Sequence, residues 1–444
     1  MPPDPSIHNT VDCPGPVVRV APNWIIVSDP AEIRRIWSVH SGYHRGPWYK
    51  GFRVDPSTDS IVTAMDNNQH QFLRGGILKA YQSRNAAAQE QVVDEQITKF
   101  LDLLDTKYTS SHSAGLRPFD MAHGMQFLTH DMMSAIEFST PFGYLDTDAD
   151  PHGIISTLEK TILPCCLMAL LPPLLSLVSS PLLKPLLPKP TDRSGLGYLL
   201  GRIEAHVGAR YSRADPDTPN PDARRGDFLQ AFVDSPLTRA QVSAEALVHF
   251  FAGADTVAIC LRTAVFLLAS TPAAYRRLQE EIDRSAAATA AAAHRDRPAV
   301  VADAEVRALP YLQACVKEAL RLWPPIMSLM GKVSDVGDDV CGVRVPAGTS
   351  VGIGWFGVMR DERVFGRDAD AFEPVRWLEA DGEALARMEA TQGLAFAAGT
   401  RWECLGKRIA MMEVGKCLFE VSARIVVREW LSWGMSGGLL TLVW

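Results

Sequence analysis

Strand-like alternation of apolar and polar residues is confined to short stretches of the chain, and helical spacing governs most of the rest. Val17 to Ala21 and Trp24 to Ser28 alternate around Pro22-Asn23, which predicts a short β-hairpin. From Asp29 onward the apolar spacing is mostly helical. Thr238-Arg-Ala-Gln241 has capping-box spacing and opens the longest helical pattern. That pattern runs through Val248, Ala252, Thr256, Cys260 and Val265 to about Ser270, where Thr271-Pro272 stops it. It is apolar nearly all round, which places the helix through the interior and not on the surface. Leu309 to Trp323 predicts another helix, closed by Pro324-Pro325. Val333 to Gly354 is rich in Val, Gly and turn residues and predicts further short strands. Ser285 to His294 is alanine-rich and reads as an exposed connection. There is no internal repeat. The class is mainly α with a small β portion, without a βαβ alternation.

Composition narrows the partners. Of 444 residues, 47% are hydrophobic and 21% charged, as in a globular protein. A formal net charge of -7 with no long basic block argues against nucleic acid. The eight cysteines are scattered with no CxxC pair, so neither a disulfide framework nor a zinc cluster is expected. Met1 to Val20 lacks a charged region followed by an apolar core, which predicts neither signal peptide nor N-terminal anchor. Thr161 to Leu183 is apolar and uncharged, but Pro164, Pro172, Pro173 and Pro181 are expected to break a spanning helix there. A broken apolar loop that touches a bilayer or lids a greasy pocket is the expectation for 161–183.

Four segments carry candidate chemistry. In Phe396-Ala-Ala-Gly399-Thr-Arg401-Trp402-Glu-Cys404-Leu-Gly406-Lys407-Arg408, one cysteine stands just before a helix-like run. Amide N–H groups and the helix dipole there favour a thiolate, as an axial haem ligand requires. Gly399 and Gly406 let the backbone approach a large flat cofactor. Glu318 and Arg321 share a helix face among apolar neighbours, and Arg376 in Phe372-Glu-Pro374-Val-Arg376-Trp377 is a third member able to share the carboxylate. The expected role is structural, locking the loop before Cys404. Ala252-Gly253-Ala254-Asp255-Thr256 interrupts the long helix with small residues, an acid and an alcohol. The Thr256 hydroxyl can bond to the carbonyl of Ala252 and widen the helix locally, leaving a groove where Asp255 and Thr256 relay protons. His70 and Arg74 lie one turn apart on a helix starting near Asp66, suited to carboxylates or phosphates. Gly195-Leu-Gly197-Tyr-Leu-Leu-Gly201 mimics a dinucleotide loop, but no strand precedes it.

Taken in order, these segments resemble a cytochrome P-450, a haem-thiolate monooxygenase, over roughly Gly15 to Arg424, in the form common among fungal microsomal members. The likeness implies a triangular fold with a long central helix over the haem. It divides the chain into a 1–14 tail, a haem domain over 15–424 and a divergent tail over 425–444. It makes Cys404 the iron ligand and Asp255 and Thr256 catalytic. It places His70, Arg74, Ala252, Gly253, Lys332, Arg401 and Gly406 against haem b, and Glu318, Arg321 and Arg376 in the family's ExxR network. The implied partners are NADPH-cytochrome P-450 reductase, O2 and a small apolar substrate from fungal secondary metabolism. A monomer on the cytoplasmic face of the endoplasmic reticulum, or a soluble form, is expected. Arg401, Lys407 and Arg408 are expected to form a cationic patch that steers an acidic reductase surface. Two departures stand out. Family loops place glycine four and phenylalanine seven residues before the cysteine; Gly399 and Phe396 are each one residue further away, as if Thr400 were inserted. The tail from Val427 does not resemble the usual closing strands. A non-catalytic haem- or ligand-binding remnant is therefore the alternative expectation.

Overall fold

A computed structural model describes residues 15–424 apart from 54, 56, 83–85, 111–114, 116, 172–186, 213–226 and 294–299, and the backbone of short strands beyond 425. The predicted hairpin forms as β1 (Val17–Ala21) and β2 (Trp24–Val27), antiparallel with Val17 opposite Val27. Helix α1 (Pro30–Trp37) follows, capped by Asp29, and then the two-residue strand β3 (His44–Arg45). Helices α2 (Asn67–Ile77), α3 (Ala86–Leu103), α4 (Met121–Phe138), α5 (Ile154–Ala169), α6 (Gly195–Ser212) and α7 (Phe228–Val233) lead to the central helix. This is α8 (Arg239–Ala269), 31 residues long, and both halves of the Thr238–Gln241 capping box are present. Helices α9 (Pro272–Ala293) and α10 (Pro310–Leu322) precede strands β4 (Lys332–Val333), β5 (Asp338–Val340), β6 (Val343–Val345) and β7 (Ser350–Ile353). Helices α11 (Gly382–Gln392) and α12 (Lys407–Arg424) complete the helical part.

One five-stranded sheet runs β1-β2-β7-β4-β3, with β2 and β7 parallel and the other pairs antiparallel. It has its own small core around Val27, Ile33, Ile36 and Val351. The main core lies between the helices. Helix α8 packs along α4 on one side and against α10 and α12 on the others. Among the described residues it alone is long and apolar enough to span a membrane by length and composition. Its place inside the bundle explains that composition: Val242, Ala246, Phe250, Ala254, Leu261 and Ala264 are all fully buried.

Two local expectations are corrected. The alanine-rich stretch continues α9 to Ala293 and is not a loose connection, consistent with alanine's high helix propensity. Helix α5 runs through Pro164 without breaking. Both Pro164 and Lys160 are exposed, so water can satisfy the carbonyl that loses its donor. Pro172, Pro173 and Pro181 lie outside the described residues. Beyond 425, Val426–Val427 pairs with Leu442–Val443, and Ser432–Gly434 with Gly437–Leu439.

Helix α10 carries the densest buried polar network. Glu318 and Arg321 are fully buried. The Arg321 guanidinium donates to both Glu318 carboxylate oxygens at 2.8 Å, and Arg376 adds a third bond at 2.9 Å. Trp377 Nε1 and the Glu373 N–H complete the carboxylate's shell at 2.9 and 3.0 Å. Remaining guanidinium donors reach the carbonyls of Met359, Ala369 and Ala371. The network thus fixes the irregular 359–377 segment onto α10, well upstream of the loop that holds Cys404. Every lone pair is met, which is the condition under which a buried ion pair is tolerated. Glu318→Ala is expected to cost about 3–5 kcal/mol by stranding two buried guanidinium groups. An unfolding midpoint equal to wild type would show that the network does not hold this segment.

Candidate functional site

A single cavity opens between α8 and the segment from Phe396 to Glu413. About 970 Å³ of atom-free space, part of it open to solvent, lies among its walls. Helix α8 contributes Glu245, Val248, His249, Ala252, Gly253, Thr256 and Val257; the opposite wall contributes Phe396, Trp402, Cys404, Leu405, Gly406 and Ile409. Helix α2 closes one edge with His70, Arg74 and Ile77.

The cysteine loop is built by its own hydrogen bonds. The Cys404 N–H donates to the Phe396 carbonyl at 2.9 Å. Between them, Ala397 and Gly399 take positive φ, 49° and 72°, which tightens the turn; the second suits glycine. The extra residue relative to the family spacing, Thr400, is absorbed here. Its hydroxyl donates to the Ala397 carbonyl at 2.7 Å and accepts from the Trp402 N–H at 3.2 Å. Cys404 lies deep in the molecule yet is exposed, because its surface faces the cavity. Burial pushes its thiol up, while the N–H groups of Gly406 and Lys407 and the Arg74 guanidinium pull it back. The helix end alone therefore does not secure a thiolate; a bound metal cation would.

Cations gather at the α2 edge, with Glu245 acting on Arg45 and Glu403 on Arg74 from outside ion-pair distance. Arg74 donates to the Glu403 carbonyl at 2.6 Å. Arg45 is buried, donates to the carbonyls of Ile61 and Ala64, and leaves its Nε without a partner. Among the described residues neither forms an ion pair. His70 is buried with Nδ1 unpartnered; burial first, then Arg45, Arg74, Lys332 and Arg401, hold its pKa down to about 3. It is a neutral imidazole facing a cationic field. The Trp402 Nε1–H is also buried and unpartnered. Two positions expected at this edge sit differently. Lys332 is fully buried behind Trp402, its ammonium over the rings of Trp402, Tyr49 and Trp37 at 4.3, 4.6 and 5.2 Å. Burial and Arg45 push it well below the usual lysine range. Arg401 is off the cavity wall, because its guanidinium donates to the Val39 carbonyl.

On α8 the Thr256 hydroxyl donates to the Ala252 carbonyl at 2.6 Å, the bond expected from the spacing. The helix stays α throughout, so this bond does not widen it. Gly253 serves a different purpose from opening a groove. A Cβ there would meet Met133 Sδ at 2.4 Å, so the missing side chain admits α4. Asp255 is off the cavity wall and faces His130, 3.9 Å away. Burial raises its carboxyl to about 7, Arg262 pulling it down and Glu159 pushing it up.

Some residues at or just behind the wall had no signal in the sequence. Arg45 sits in a two-residue strand, and Glu137 and His249 meet across α4 and α8. Glu245 accepts from the Ile61 N–H at 2.6 Å and leaves Oε2 unpartnered; burial raises it to about 8. Only its spacing with His249, one turn apart on α8, could have drawn notice.

The donor set fits one kind of group. An open thiol, a cavity with apolar walls from Ile77, Met133, Ile136, Val248, Val257, Leu405 and Ile409, and an edge of cations without ion pairs and of orphaned N–H donors suit a metallated macrocycle bearing carboxylates. Comparison with known proteins agrees. Residues 6–421 match the Cytochrome P-450 family. Cytochrome P-450 monooxygenase ABA1 of Pyricularia oryzae is 35% identical over 92% of this chain and 78% of its own length. Cytochrome P-450 monooxygenase aba1 of Botryotinia fuckeliana is 31% identical over the same shares. Cytochrome P-450 monooxygenase mpaDE of Penicillium brevicompactum is 31% identical over 90% of this chain and 46% of its own length. The chain belongs to the cytochrome P-450 family of monooxygenases, and membership implies a haem-iron cofactor.

Arg45→Ala is expected to lower retained haem several-fold, read as the ratio of Soret to protein absorbance after gel filtration. A wild-type ratio would remove Arg45 from the carboxylate-binding edge.

Proposed function

We propose that this protein inserts one oxygen atom of O2 into a small apolar substrate of fungal secondary metabolism, with electrons from NADPH passed on by a flavoprotein reductase. The observation that carries this reading is the placement of Cys404 and Thr256 on opposing walls of one cavity with a cationic edge. One oxygen atom enters a C–H bond of the substrate and the other leaves as water, consuming two electrons and two protons.

In this reading haem b is the cofactor and residues 15–424 form one haem domain. Cys404 ligates the iron; His70, Arg74 and Arg45 take the propionates, with the Trp402 N–H beside them. The thiolate-ligated haem supplies activation of O2, the thiolate's electron density favouring O–O cleavage. The chain supplies the rest. Ala252 keeps the α8 wall low enough for a small ligand. Thr256 places a hydroxyl at the cavity wall, and Asp255, raised to about 7, stores a proton on the adjoining face. Apolar walls exclude competing water. Ile162, Leu163, Leu167 and Leu171 are exposed on and just after α5, which supports peripheral contact with the cytoplasmic face of the endoplasmic reticulum membrane. We read the protein as a monomer.

The reduced, carbon-monoxide-bound absorption spectrum tests the ligand. A Soret band at the thiolate position is expected in wild type and its loss in Cys404→Ala; a neutral-thiol band in wild type, or no haem, favours a non-catalytic remnant. Thr256→Ala is expected to keep the spectrum but divert most NADPH oxidation to peroxide and water. Full coupling in that variant counts against proton handling by Thr256.

A further inference from the structure

His130 on α4 stands opposite Asp255, fully buried. Tyr144 and Phe250 meet its ring edge-on, with centroids 5.5 and 5.4 Å away, so the ring is clamped. Its Nδ1 lies 2.8 Å from the Gln126 carbonyl. A carbonyl only accepts, so Nδ1 carries the ring's proton in the neutral tautomer. Nε2 is left with a bare lone pair, buried and without a hydrogen-bond partner, 3.9 Å from Asp255 Oδ1. Facing a carboxylate, that lone pair is repulsive; facing a carboxyl O–H, it is an acceptor.

The other groups around the pair decide which form wins. Arg262, on α8 itself, favours the Asp255 carboxylate, and Glu159 on α5 opposes it. Asp150 favours the charged form of His130, against its burial. Burial favours the neutral form of both partners, holding His130 down to about 4 and Asp255 up to about 7. Geometry and environment agree.

We propose that His130 is a positioning residue for Asp255, its bare Nε2 lone pair facing the carboxyl across 3.9 Å and favouring the neutral acid turned toward α4 until a proton is drawn from it. The proposal rests on the reading of Asp255 as a proton donor given above. When the Asp255 O–H bond breaks, the proton leaves toward Thr256 and a carboxylate remains. His130 cannot replace that proton, since its one N–H is committed to Gln126. The replacement comes from water, to which the Asp255 side chain keeps 27% of its surface open.

The test is an infrared difference spectrum of the ferric holoenzyme, wild type minus Asp255→Asn, titrated through neutral pH. A protonated-carboxyl C=O band assigned to Asp255 is expected, fading as pH rises through about 7. His130→Phe keeps an aromatic ring among Tyr144 and Phe250 but removes the acceptor. Its band midpoint is expected to fall, by up to about one pH unit, because the lone pair that opposes the carboxylate is gone. The alkaline limb of product formed per NADPH should move with it. His130→Gln shifts the midpoint the same way, because its amide donates to the carboxylate, and it serves if the phenylalanine variant does not fold. A midpoint unchanged in both variants, or no protonated band in wild type, overturns the proposal. Full coupling in Asp255→Asn would instead overturn the donor reading, whatever the infrared band shows.

Discussion

The structure is organised around charge that is left uncompensated. Arg45, Arg74 and a buried neutral His70 converge on one edge of the cavity, and among the described residues none of them forms an ion pair, Glu245 and Glu403 acting on the two arginines only from further off. A protein does not bury guanidinium groups this way for stability, since an unpaired buried charge costs several kcal/mol. The arrangement makes sense as the protein half of an interaction whose other half is anionic and bound. The same holds for Cys404, whose thiol burial pushes upward against the pull of two helix N–H groups. Both features cost stability until the cofactor arrives, so folding and haem binding are coupled.

Where charge is compensated internally, the purpose differs. Glu318 has five hydrogen bonds from Arg321, Arg376, Trp377 and Glu373, and no solvent. That network belongs to the scaffold: it pins an irregular segment that has few regular backbone bonds of its own. The contrast between a closed network on α10 and an open one at the α2 edge separates architecture from site without reference to any relative.

Helix α8 joins the two. Its residues turn about 100° per position, so Thr256 reaches the cavity while Asp255, one residue earlier, faces α4 and α5. The acid and the alcohol therefore stand on two faces of one helix. That division lets the acid sit in an environment that raises its pKa without placing a second charge beside the cofactor.

The central helix, its cap, the hairpin, the Glu318–Arg321 pair and the Thr256–Ala252 bond were legible because each is written in local spacing. Sequence periodicity needs only neighbours within a turn or two. Thr400 was visible as an extra residue, but only the folded loop shows how its hydroxyl closes the turn. Lys332 and Arg401 were placed at the haem edge by likeness, and long-range contacts with Trp402 and Val39 turned them elsewhere. Arg45, His130, Glu137 and His249 carry no motif, since their partners lie on other elements far along the chain. By itself the sequence determined the family, the helical class and the sulfur that faces the cavity. Which cations stay without ion pairs, and which side of α8 carries the raised Asp255 carboxyl, was decided only when distant elements packed together, because desolvation and charge depend on everything within a few ångströms and not on order along the chain.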